Sequence, residues 1–380
     1  MNIGIDAKRI FFNNSGLGNY GRRFYLALAK GFPGDSFFLY TPRPVPANNP
    51  YLSILRNNSQ TIFPRHSFHK ILGGALWRSA LINGQLIKDN IGVYYGLSNE
   101  IPFGIRGLKL AKVVIIHDLI FLRYPELYPA IDVYFYKRKT LYSCKYADCI
   151  IAASEQTKND IINFYGINPE KISVLYPCTD PLFYAKEVED STAFFQPARK
   201  YVISVGAITP RKNLMKTIEA FETVKDKYDL DLVVIGTAVG LGRKYLEKIM
   251  DFNAKHKLTG RVHFLGNVPY QYVPDLCRKA QLMVYPSQFE GFGMPIVEGL
   301  FSKIPVITSA GGCFPEAGGD AAIYINPEVP AEIAAQISNV MDSAKLRDEI
   351  VTRGILYAEK FSQSTIEKDI LAFHQSIIPS

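Results

Sequence analysis

The sequence is poor in cysteine, and it has neither a long apolar run nor an export signal. Its five cysteines form no C-x-x-C pair and have no histidine at ligand spacing, which argues against a disulfide scaffold or a structural zinc site. The most apolar stretch, from Lys112 to Phe121, is broken by a histidine and an aspartate long before the roughly 20 residues that a membrane helix needs. The amino terminus lacks a basic start followed by an apolar core. A cytoplasmic protein without a transmembrane segment is therefore expected.

What is present is a globular composition with unevenly distributed charge. Hydrophobic residues make up 48% and charged residues 21% of the 380 positions, and this length favours two domains. Residues 1–180 hold 21 Lys and Arg against 12 Asp and Glu, whereas residues 181–380 hold 22 against 23. An anionic partner, whether membrane surface, lipid phosphate or nucleic acid, is therefore expected at the first half, with a merely solvated basic surface as the alternative.

Short apolar runs alternate with longer amphipathic stretches along the whole chain. This pattern predicts parallel sheets that are covered by helices on both faces. The runs form two series, which predict one α/β Rossmann-like domain over residues 1–180 and another over 198–363, with a proline-rich linker in 177–197. Because ligands of such sheets bind at the carboxyl ends of strands, a cleft between two facing domains is the expected site. The predicted strands are Asn2–Ile5, Phe37–Tyr40, Val93–Tyr95, Val113–Ile116, Cys149–Ala152, Ile172–Leu175, Tyr201–Val205, Leu232–Ile235, Val262–Phe264, Leu282–Tyr285, Val306–Thr308 and Ile323–Ile325.

Two carboxylates flank a glycine-rich turn in the second series. Glu290 and Glu298 are separated by seven residues, and a helix is expected to begin between them at Met294, where proline follows. Glycines in the turn let the backbone approach a ligand closely, and the helix start offers free N–H groups. These features indicate a site for a sugar or a phosphate. The simpler interpretation is a glycine-rich turn with an acidic residue near a helix start.

The segment E-G-F-G-M-P-x-x-E resembles the E-x7-E signature of retaining glycosyltransferases of the GT-B fold, above all glycosyltransferase family 4. The resemblance implies two Rossmann-like domains that face each other across a cleft, with a C-terminal helix over 364–380 crossing back to the first. It also implies that Glu298 holds the ribose hydroxyls of a sugar nucleotide. The transferred sugar would contact Glu290 and the backbone of Gly291, Phe292, Gly293 and Met294.

A second motif, V-G-A-I-T-P-R-K-N, follows a strand and opens a helix. Its basic residues Arg211 and Lys212 suit a leaving nucleoside diphosphate, which carries two to three negative charges. In the family this pair stabilises that leaving group. Many members carry a further arginine directly after the first glycine, where this chain has Ala207, so the diphosphate is expected to rest on Arg211 and Lys212 alone. The simpler reading is a solvent-facing basic helix cap.

Two motifs in the first half complete the resemblance. His117 and Asp118 stand at the end of an apolar strand, where the family often has a histidine in contact with the donor sugar. A lone histidine on a strand is otherwise more often a satisfied core residue. The loop N-N-S-G-L-G-N-Y-G-R, with Gly16 and Gly18, lacks a full dinucleotide-binding pattern and in the family lies over the diphosphate.

The function expected from these features is transfer of a hexose with retention of configuration, without cofactor or metal. GDP-mannose is the first candidate donor and a UDP-sugar the second, and the acceptor is a saccharide or lipid-linked saccharide in surface polysaccharide synthesis. Asp229 and Asp231 form a D-x-D pair at a strand entrance and are interpreted as solvated surface, not as a metal site. The alternatives are a GT-B epimerase or phosphorylase, a silent sugar-binding module, or a basic nucleic-acid-binding protein, although no nucleic-acid motif accompanies the charge.

Peripheral contact with the inner face of a membrane is a further hypothesis for the first domain. Part of its positive charge is carried by Arg22 and Arg23 and by the basic run from Lys137 to Lys139. This run directly follows the aromatic residues 134–136. Aromatic rings interleaved with cations suit a membrane interface. A solvated helix face with its tyrosines in the core is the equal alternative.

Overall fold

The computed structural model describes residues 1–13, 16–64, 74–240 and 242–378. It divides into two compact units. The first comprises Met1–Cys178 with Gln363–Ser380, and the second comprises Thr179–Ser362. Each unit contains one sheet in which every strand pair is parallel, as the alternation of strands and helices predicts.

The first unit has a seven-stranded sheet of order β3-β2-β1-β4-β5-β6-β7. Its strands are β1 Asn2–Asp6, β2 Ser36–Tyr40, β3 Ser59–Ile62, β4 Val93–Gly96, β5 Ala111–Ile116, β6 Cys149–Ala152 and β7 Ile172–Val174. Its helices are α1 Lys8–Phe12, α2 Gly16–Gly31, α3 Gly74–Leu76, α4 Asn83–Lys88, α5 Ile120–Arg123, α6 Ala130–Tyr146 and α7 Glu155–Tyr165. The strand order reverses between β1 and β4, so the carboxyl ends of those strands bound a crevice.

The second unit has a six-stranded sheet of order β10-β9-β8-β11-β12-β13. Its strands are β8 Lys200–Val205, β9 Leu230–Ile235, β10 Val262–Gly266, β11 Leu282–Tyr285, β12 Val306–Ser309 and β13 Ile323–Ile325. Its helices are α8 Leu214–Val224, α9 Gly242–Lys255, α10 Val273–Lys279, α11 Met294–Phe301, α12 Phe314–Gly318, α13 Pro330–Asp342 and α14 Ala344–Ala358. The order reverses between β8 and β11, which repeats the doubly wound arrangement.

The twelve predicted strands are confirmed, and one strand escaped prediction. This strand, β3, reads Ser-Gln-Thr-Ile and is at most half-buried, because it lies at the sheet edge beside β2. An edge strand needs no continuous apolar run, so the sequence carried no strong signal for it. Of the segment 177–197, expected as a linker, residues 179–197 belong to the second unit. There Ser191 donates from its N–H and its hydroxyl to Asp275, both at 2.7 Å.

The last helix, α15 (Gln363–Ile377), packs in the first unit against α2. Ile366, Ile370 and Phe373 join the core of that unit, and Lys30 pairs with Glu367 at 3.0 Å. Residues 379 and 380, which the predicted C-terminal helix included, lie outside the described residues. Among the described residues, no helix has the length and apolarity required to cross a bilayer.

Candidate active site

The strongest candidate site lies in the second unit, where the sheet order reverses. The loop after β8 carries Arg211 and Lys212, and the loop after β11 carries Glu290. These strands are neighbours in the sheet, with Leu282 paired to Val202. The carboxyl ends of neighbouring parallel strands lie at one edge, so residues about 80 positions apart meet there.

Local backbone features hold the two loops together. Pro210–Lys212 form a short turn that ends at Asn213, whose φ of 59° is left-handed and suits asparagine. The N–H of Gln288 donates to the carbonyl of Arg211 at 2.9 Å, which links the loop after β11 to the loop after β8. Gly293, with φ of 114°, precedes α11 directly, and this left-handed conformation favours glycine.

Glu290 lies between the two cations. Its Oε1 is 2.6 Å from Arg211 Nη1 and 2.5 Å from Lys212 Nζ. Ser287 donates from its hydroxyl to the same oxygen at 2.6 Å. Burial raises the pKa of Glu290, but Lys212 and Arg211 outweigh it and lower the pKa to about 2. A carboxylate held in this way accepts hydrogen bonds and is a poor proton acceptor, which argues against a role as general base.

Lys212 is the central cation of this cluster. Besides its ion pair, it lies 4.7 Å from the centroid of the Tyr285 ring, in a cation–π contact. Burial lowers the pKa of Lys212 and Arg211 adds to this, while Glu290 acts in the opposite direction. Arg211 also donates to the carbonyl of Phe289. Two cations in such a half-buried position stabilise an anion more strongly than they would in water.

Glu298 stands inside α11, one turn after the glycine-rich loop. Within the described residues its carboxylate forms neither a hydrogen bond nor an ion pair, in contrast to the carboxylate of Glu290. Burial and the Asp180 carboxylate raise the pKa of Glu298 to about 7, against the opposing effect of Lys212. A half-buried carboxylate without a protein partner is available to accept hydrogen bonds from ligand hydroxyls.

Sequence reasoning missed several residues around this cluster. Tyr285 and Ser287 support Lys212 and Glu290, and the thiol of Cys313 donates to the carbonyl of Glu290 at 3.3 Å. Their signal was weak, because a tyrosine at a strand end and a serine in a loop are common everywhere. Only their contacts show that they belong to the site.

A cavity of about 620 Å³ adjoins the same edge of the sheet, and it was also missed. It is lined by residues of the loop after β9, which lies directly against the loop after β8. A Cβ atom at Gly236 would stand 1.9 Å from the carbonyl oxygen of Gly206, and one at Gly242 would stand 2.1 Å from that of Ile208. The glycine-rich run G-T-A-V-G-L-G after a strand was the available signal, although Leu241 lies outside the described residues.

The predicted site residues of the first half lie in the other unit. His117 follows β5, and its Nε2 donates to the carbonyl of Leu97 at 2.8 Å while its ring packs edge-on against Tyr20 at 5.1 Å. Burial lowers the pKa of His117 to about 4, so the imidazole is neutral at physiological pH. Asp118 accepts from the N–H of Ile120 at 3.1 Å and borders a second cavity in this unit.

The glycine-rich loop near the amino terminus is described in part, because residues 14 and 15 lie outside the described residues. Gly16 begins α2, and the N–H of Gly18 donates to Asn13 Oδ1 at 3.0 Å. A Cβ atom at Gly18 would stand 2.0 Å from the carbonyl oxygen of Asn13, so this position requires glycine. Arg22 is buried and donates to the carbonyl of Ile10 at 2.8 Å. Its inclusion in an exposed basic patch is therefore wrong, since backbone contacts hold it inside.

The D-x-D pair also occupies a defined position. Asp229 is exposed and pairs with Arg199 at 2.9 Å, whereas Asp231 is buried in β9. Asp231 pairs with Arg261 at 3.2 Å and contacts Nε2 of His263 at 3.0 Å, so the reading of both acids as solvated surface is wrong for Asp231. In the part of the chain that the structure describes, no group of three or more His, Cys, Asp or Glu side chains is arranged to hold a metal ion.

Two family models match the chain, one on each half. The model described as Glycosyltransferase Family 4 matches residues 16–182, and the model described as Glycosyl transferases group 1 matches residues 186–356. The second match contains the whole Arg211, Lys212, Glu290 and Glu298 cluster. Together the two matches reach from the first glycine-rich loop to the last helix of the second unit.

Curated relatives are similar at low identity. The chain is 28% identical to the O-antigen chain mannosyltransferase RfbU of Salmonella typhimurium over 60% of each protein. It is 24% identical to O-antigen chain mannosyltransferase B of Escherichia coli over 71% of this chain and 70% of that protein. A Campylobacter jejuni N-acetylgalactosaminyltransferase, named for a diphospho-undecaprenol substrate, is 28% identical over 60% of each. The matched region thus spans only about three fifths of the first of these relatives.

Solved structures share the fold of the whole chain. The Anabaena protein HepE in complex with UDP-glucose superposes with a TM-score of 0.75 at 16% identity, and the match covers 99% of this chain and 100% of that one. At this identity the likeness establishes the fold alone. The architecture of two parallel-sheet α/β units is that of the GT-B glycosyltransferases.

Proposed function

Since the chain belongs to glycosyltransferase family 4, group 1, we propose that it transfers a hexose from a sugar nucleotide to a saccharide or lipid-linked saccharide. The proposal includes retention of configuration at the transferred carbon, and it assigns no cofactor and no metal ion. The relatives named above give no support to an epimerase or a nucleic-acid-binding protein.

One observation carries this proposal, namely the pairing of two half-buried cations with Glu290 at the strand ends of the second sheet. Arg211 and Lys212 provide the positive charge that a departing diphosphate needs. Glu298, in the same unit, offers an acceptor for vicinal hydroxyls. A sugar nucleotide presents both groups at once, with its diphosphate for the cations and its ribose for the free carboxylate.

The proposed transfer breaks the bond between the sugar C1 and the diphosphate oxygen. The electron pair leaves with the diphosphate, where Arg211 and Lys212 stabilise it, and positive charge develops on the sugar. The acceptor oxygen then bonds to C1 on the same face, and its proton passes to the departing phosphate. Glu290 does not act as the base in this scheme, because its pKa of about 2 makes it a poor proton acceptor.

GDP-mannose is the first candidate donor, and a UDP-sugar is the second. Two of the relatives are mannosyltransferases, which supports mannose as the transferred sugar. A lipid-linked acceptor is supported by the Campylobacter relative, whose name contains a diphospho-undecaprenol-linked saccharide. The names of the two O-antigen mannosyltransferases support a role of the proposed reaction in the synthesis of a surface polysaccharide.

A donor screen followed by a transfer assay tests the proposal. The melting temperature is measured with GDP-, UDP- and ADP-sugars, because a ligand at 100 times its Kd adds about 2.7 kcal/mol to the free energy of unfolding. The stabilising donor is then incubated with candidate acceptors, and release of free nucleoside diphosphate is measured with and without excess chelator. Release that needs manganese would contradict the metal-free scheme, and no release with any donor would overturn the function.

The raised pKa of Glu298 predicts a pH-dependent affinity for the donor. Only the ionised carboxylate accepts from two hydroxyls, so the donor KM should rise by up to about tenfold per pH unit below pH 7 and be constant above pH 8. Initial rates between pH 5.5 and 8.5 measure this. Glu298→Gln should raise the KM and remove the pH dependence, whereas an unchanged profile in that variant would assign the titration to another group.

The surface of α6 supports peripheral contact with an anionic membrane. Ile131, Tyr134 and Phe135 are 61%, 53% and 51% exposed, and Tyr136 is 44% exposed. The reading that places the tyrosines of this segment in the core is therefore wrong for both Tyr134 and Tyr136. Lys137 and Arg138 are exposed beside them. Aromatic rings and cations on one exposed helix suit the headgroup region of an anionic leaflet.

Sedimentation with vesicles checks this membrane contact. Vesicles rich in phosphatidylglycerol should bind the protein at low salt, and neutral vesicles should not. The variant Lys137→Ala/Arg138→Ala should bind about 30-fold more weakly, since each cation contributes about 1 kcal/mol near such a surface. The pair Lys88→Ala/Lys109→Ala removes the same charge from exposed positions elsewhere in the unit and should bind normally. Equal loss in both variants would show a non-specific charge effect and contradict the assignment to α6.

A further inference from the structure

The first unit contains a cavity of about 380 Å³ that the scheme above does not use. It lies where the order of the first sheet reverses, at the carboxyl ends of β1 and β4, which is a usual place for ligands in doubly wound sheets. Its walls include Lys8 and Arg9 after β1, the segment 98–100 after β4, and Tyr136 and Lys139 of α6. All of these residues belong to one unit.

The charged groups of this cavity are only partly neutralised. Arg78 is buried and donates to Asp6 at 2.6 Å and also to Glu100, whose second oxygen is 3.4 Å from Lys139. In the described part of the chain, the side chains of Lys8 and Arg9 form no ion pair. Counting Asp118 as well, the described residues place four cations against three carboxylates here, and two of these cations, Lys8 and Arg9, have no described carboxylate partner.

Three buried polar atoms at this cavity have no hydrogen-bond partner among the described residues. They are Arg9 Nε, Arg78 Nε and Ser98 Oγ. Buried donors are nearly always paired, and leaving one unpaired costs about 1–3 kcal/mol. Because these three atoms are closed to solvent, a ligand in the cavity does not reach them, and the half-buried side chains of Lys8 and Arg9 are the donors that line it without a carboxylate partner among the described residues.

The pKa values of the lysines agree with this reading. Burial, Arg78 and Arg9 lower the pKa of Lys8, although Asp6 acts in the opposite direction. Burial and Arg78 lower the pKa of Lys139. The cations that line this cavity therefore repel one another, and a bound anion would relieve that repulsion.

Aromatic rings form the remaining wall. Tyr136 packs edge-on against Phe121 at 5.7 Å and against Tyr128 at 6.4 Å, and all three line the cavity. Pockets that combine a few convergent polar groups with aromatic rings bind ligands that are apolar on one face and polar on the other. A sugar ring has both kinds of face, with C–H groups on one side and hydroxyls at its rim.

We propose that this cavity binds a sugar that carries a phosphate, with the phosphate oxygens accepting from the ammonium of Lys8 and the guanidinium of Arg9. Arginine suits phosphate because its planar fork donates two parallel hydrogen bonds. The sugar lies against Tyr128 and Tyr136. That this ligand is the glycosyl acceptor rests on the proposed function, whereas the phosphate site itself does not. The phosphate belongs either to a soluble sugar phosphate or to a lipid-linked saccharide diphosphate, whose lipid would continue over α6.

Calorimetric binding of mannose 1-phosphate tests the proposal, with saturating GDP or UDP present to occupy the diphosphate site of the second unit. Wild-type protein should bind mannose 1-phosphate at least tenfold more tightly than mannose. Lys8→Ala/Arg9→Ala should lose at least tenfold in affinity while keeping its melting temperature, since neither side chain is ion-paired. The exposed Lys88→Ala is the matched control and should bind like wild type. Equal affinity for mannose, or full affinity in the double variant, would overturn the proposal.

A second ligand separates the two sources of phosphate. A short-chain prenyl diphosphate-linked mannose should bind more tightly than mannose 1-phosphate if the natural ligand is lipid-linked, and equally if it is soluble. In either case the double variant must lose affinity for it, and retained affinity would contradict the site. The measurement needs no transfer reaction, so phosphate binding by a protein that fails to release nucleoside diphosphate would refute the proposed function and leave this site standing.

Discussion

Lys212→Ala is expected to slow transfer by about 10² or more in kcat, with a smaller effect on the binding of the sugar. The ammonium group is a preformed stabiliser of the charge that develops on the diphosphate, and removal of one such group costs about this factor. Initial rates of nucleoside diphosphate release, measured at saturating donor, give the change. The melting temperature is recorded in parallel, because Glu290 keeps Arg211 as its remaining cation and the fold should persist.

Lys216→Ala is the matched control for this variant. Lys216 lies on α8, one turn after Lys212, and pairs with Glu219 at 2.9 Å on the helix surface. Such a surface pair contributes at most about 1 kcal/mol, so its loss should change kcat little. If Lys212→Ala and Lys216→Ala had the same near-wild-type kcat, the diphosphate would have to bind elsewhere.

Glu290→Gln is expected to lower kcat by about 10² and to destabilise the protein, yet to leave nucleoside diphosphate binding intact. Removing one partner of a buried ion pair costs about 3–5 kcal/mol, because the remaining charges are left without compensation. Here two cations lose their common partner. A bound diphosphate supplies the missing negative charge, so its Kd should stay the same or fall. Urea unfolding with and without GDP or UDP measures both effects.

The control for Glu290→Gln is Glu349→Gln, which removes a carboxylate from an exposed pair at 3.9 Å in the same unit. It should alter neither the unfolding midpoint nor kcat. Loss of nucleoside diphosphate binding in Glu290→Gln, in a folded protein, would contradict the assignment of the diphosphate to Arg211 and Lys212. A wild-type kcat in that variant would show that Glu290 takes no part in the reaction.

The sequence by itself determined the fold class and the main candidate residues. Both follow from local information. Near-continuous apolar strands alternate with helices, and each motif directly follows a strand, so Arg211, Lys212 and Glu290 had to lie at strand ends in a parallel sheet. The strand β3 escaped because an edge strand needs no apolar run. The burial of Arg22 was not predicted either, because no local sequence pattern shows that a charged side chain will be buried against backbone carbonyls.

Tertiary structure alone decided what each of these residues can do. Two glutamates eight positions apart have the same intrinsic chemistry, but Glu290 lies between two cations and has a pKa of about 2, whereas Glu298 has no paired cation and a pKa of about 7. The cavity with Arg9 and Arg78 likewise had no motif. It exists because the order of the sheet places β1 beside β4, and such long-range neighbours depend on packing over the whole unit, which the spacing of residues along the chain does not specify.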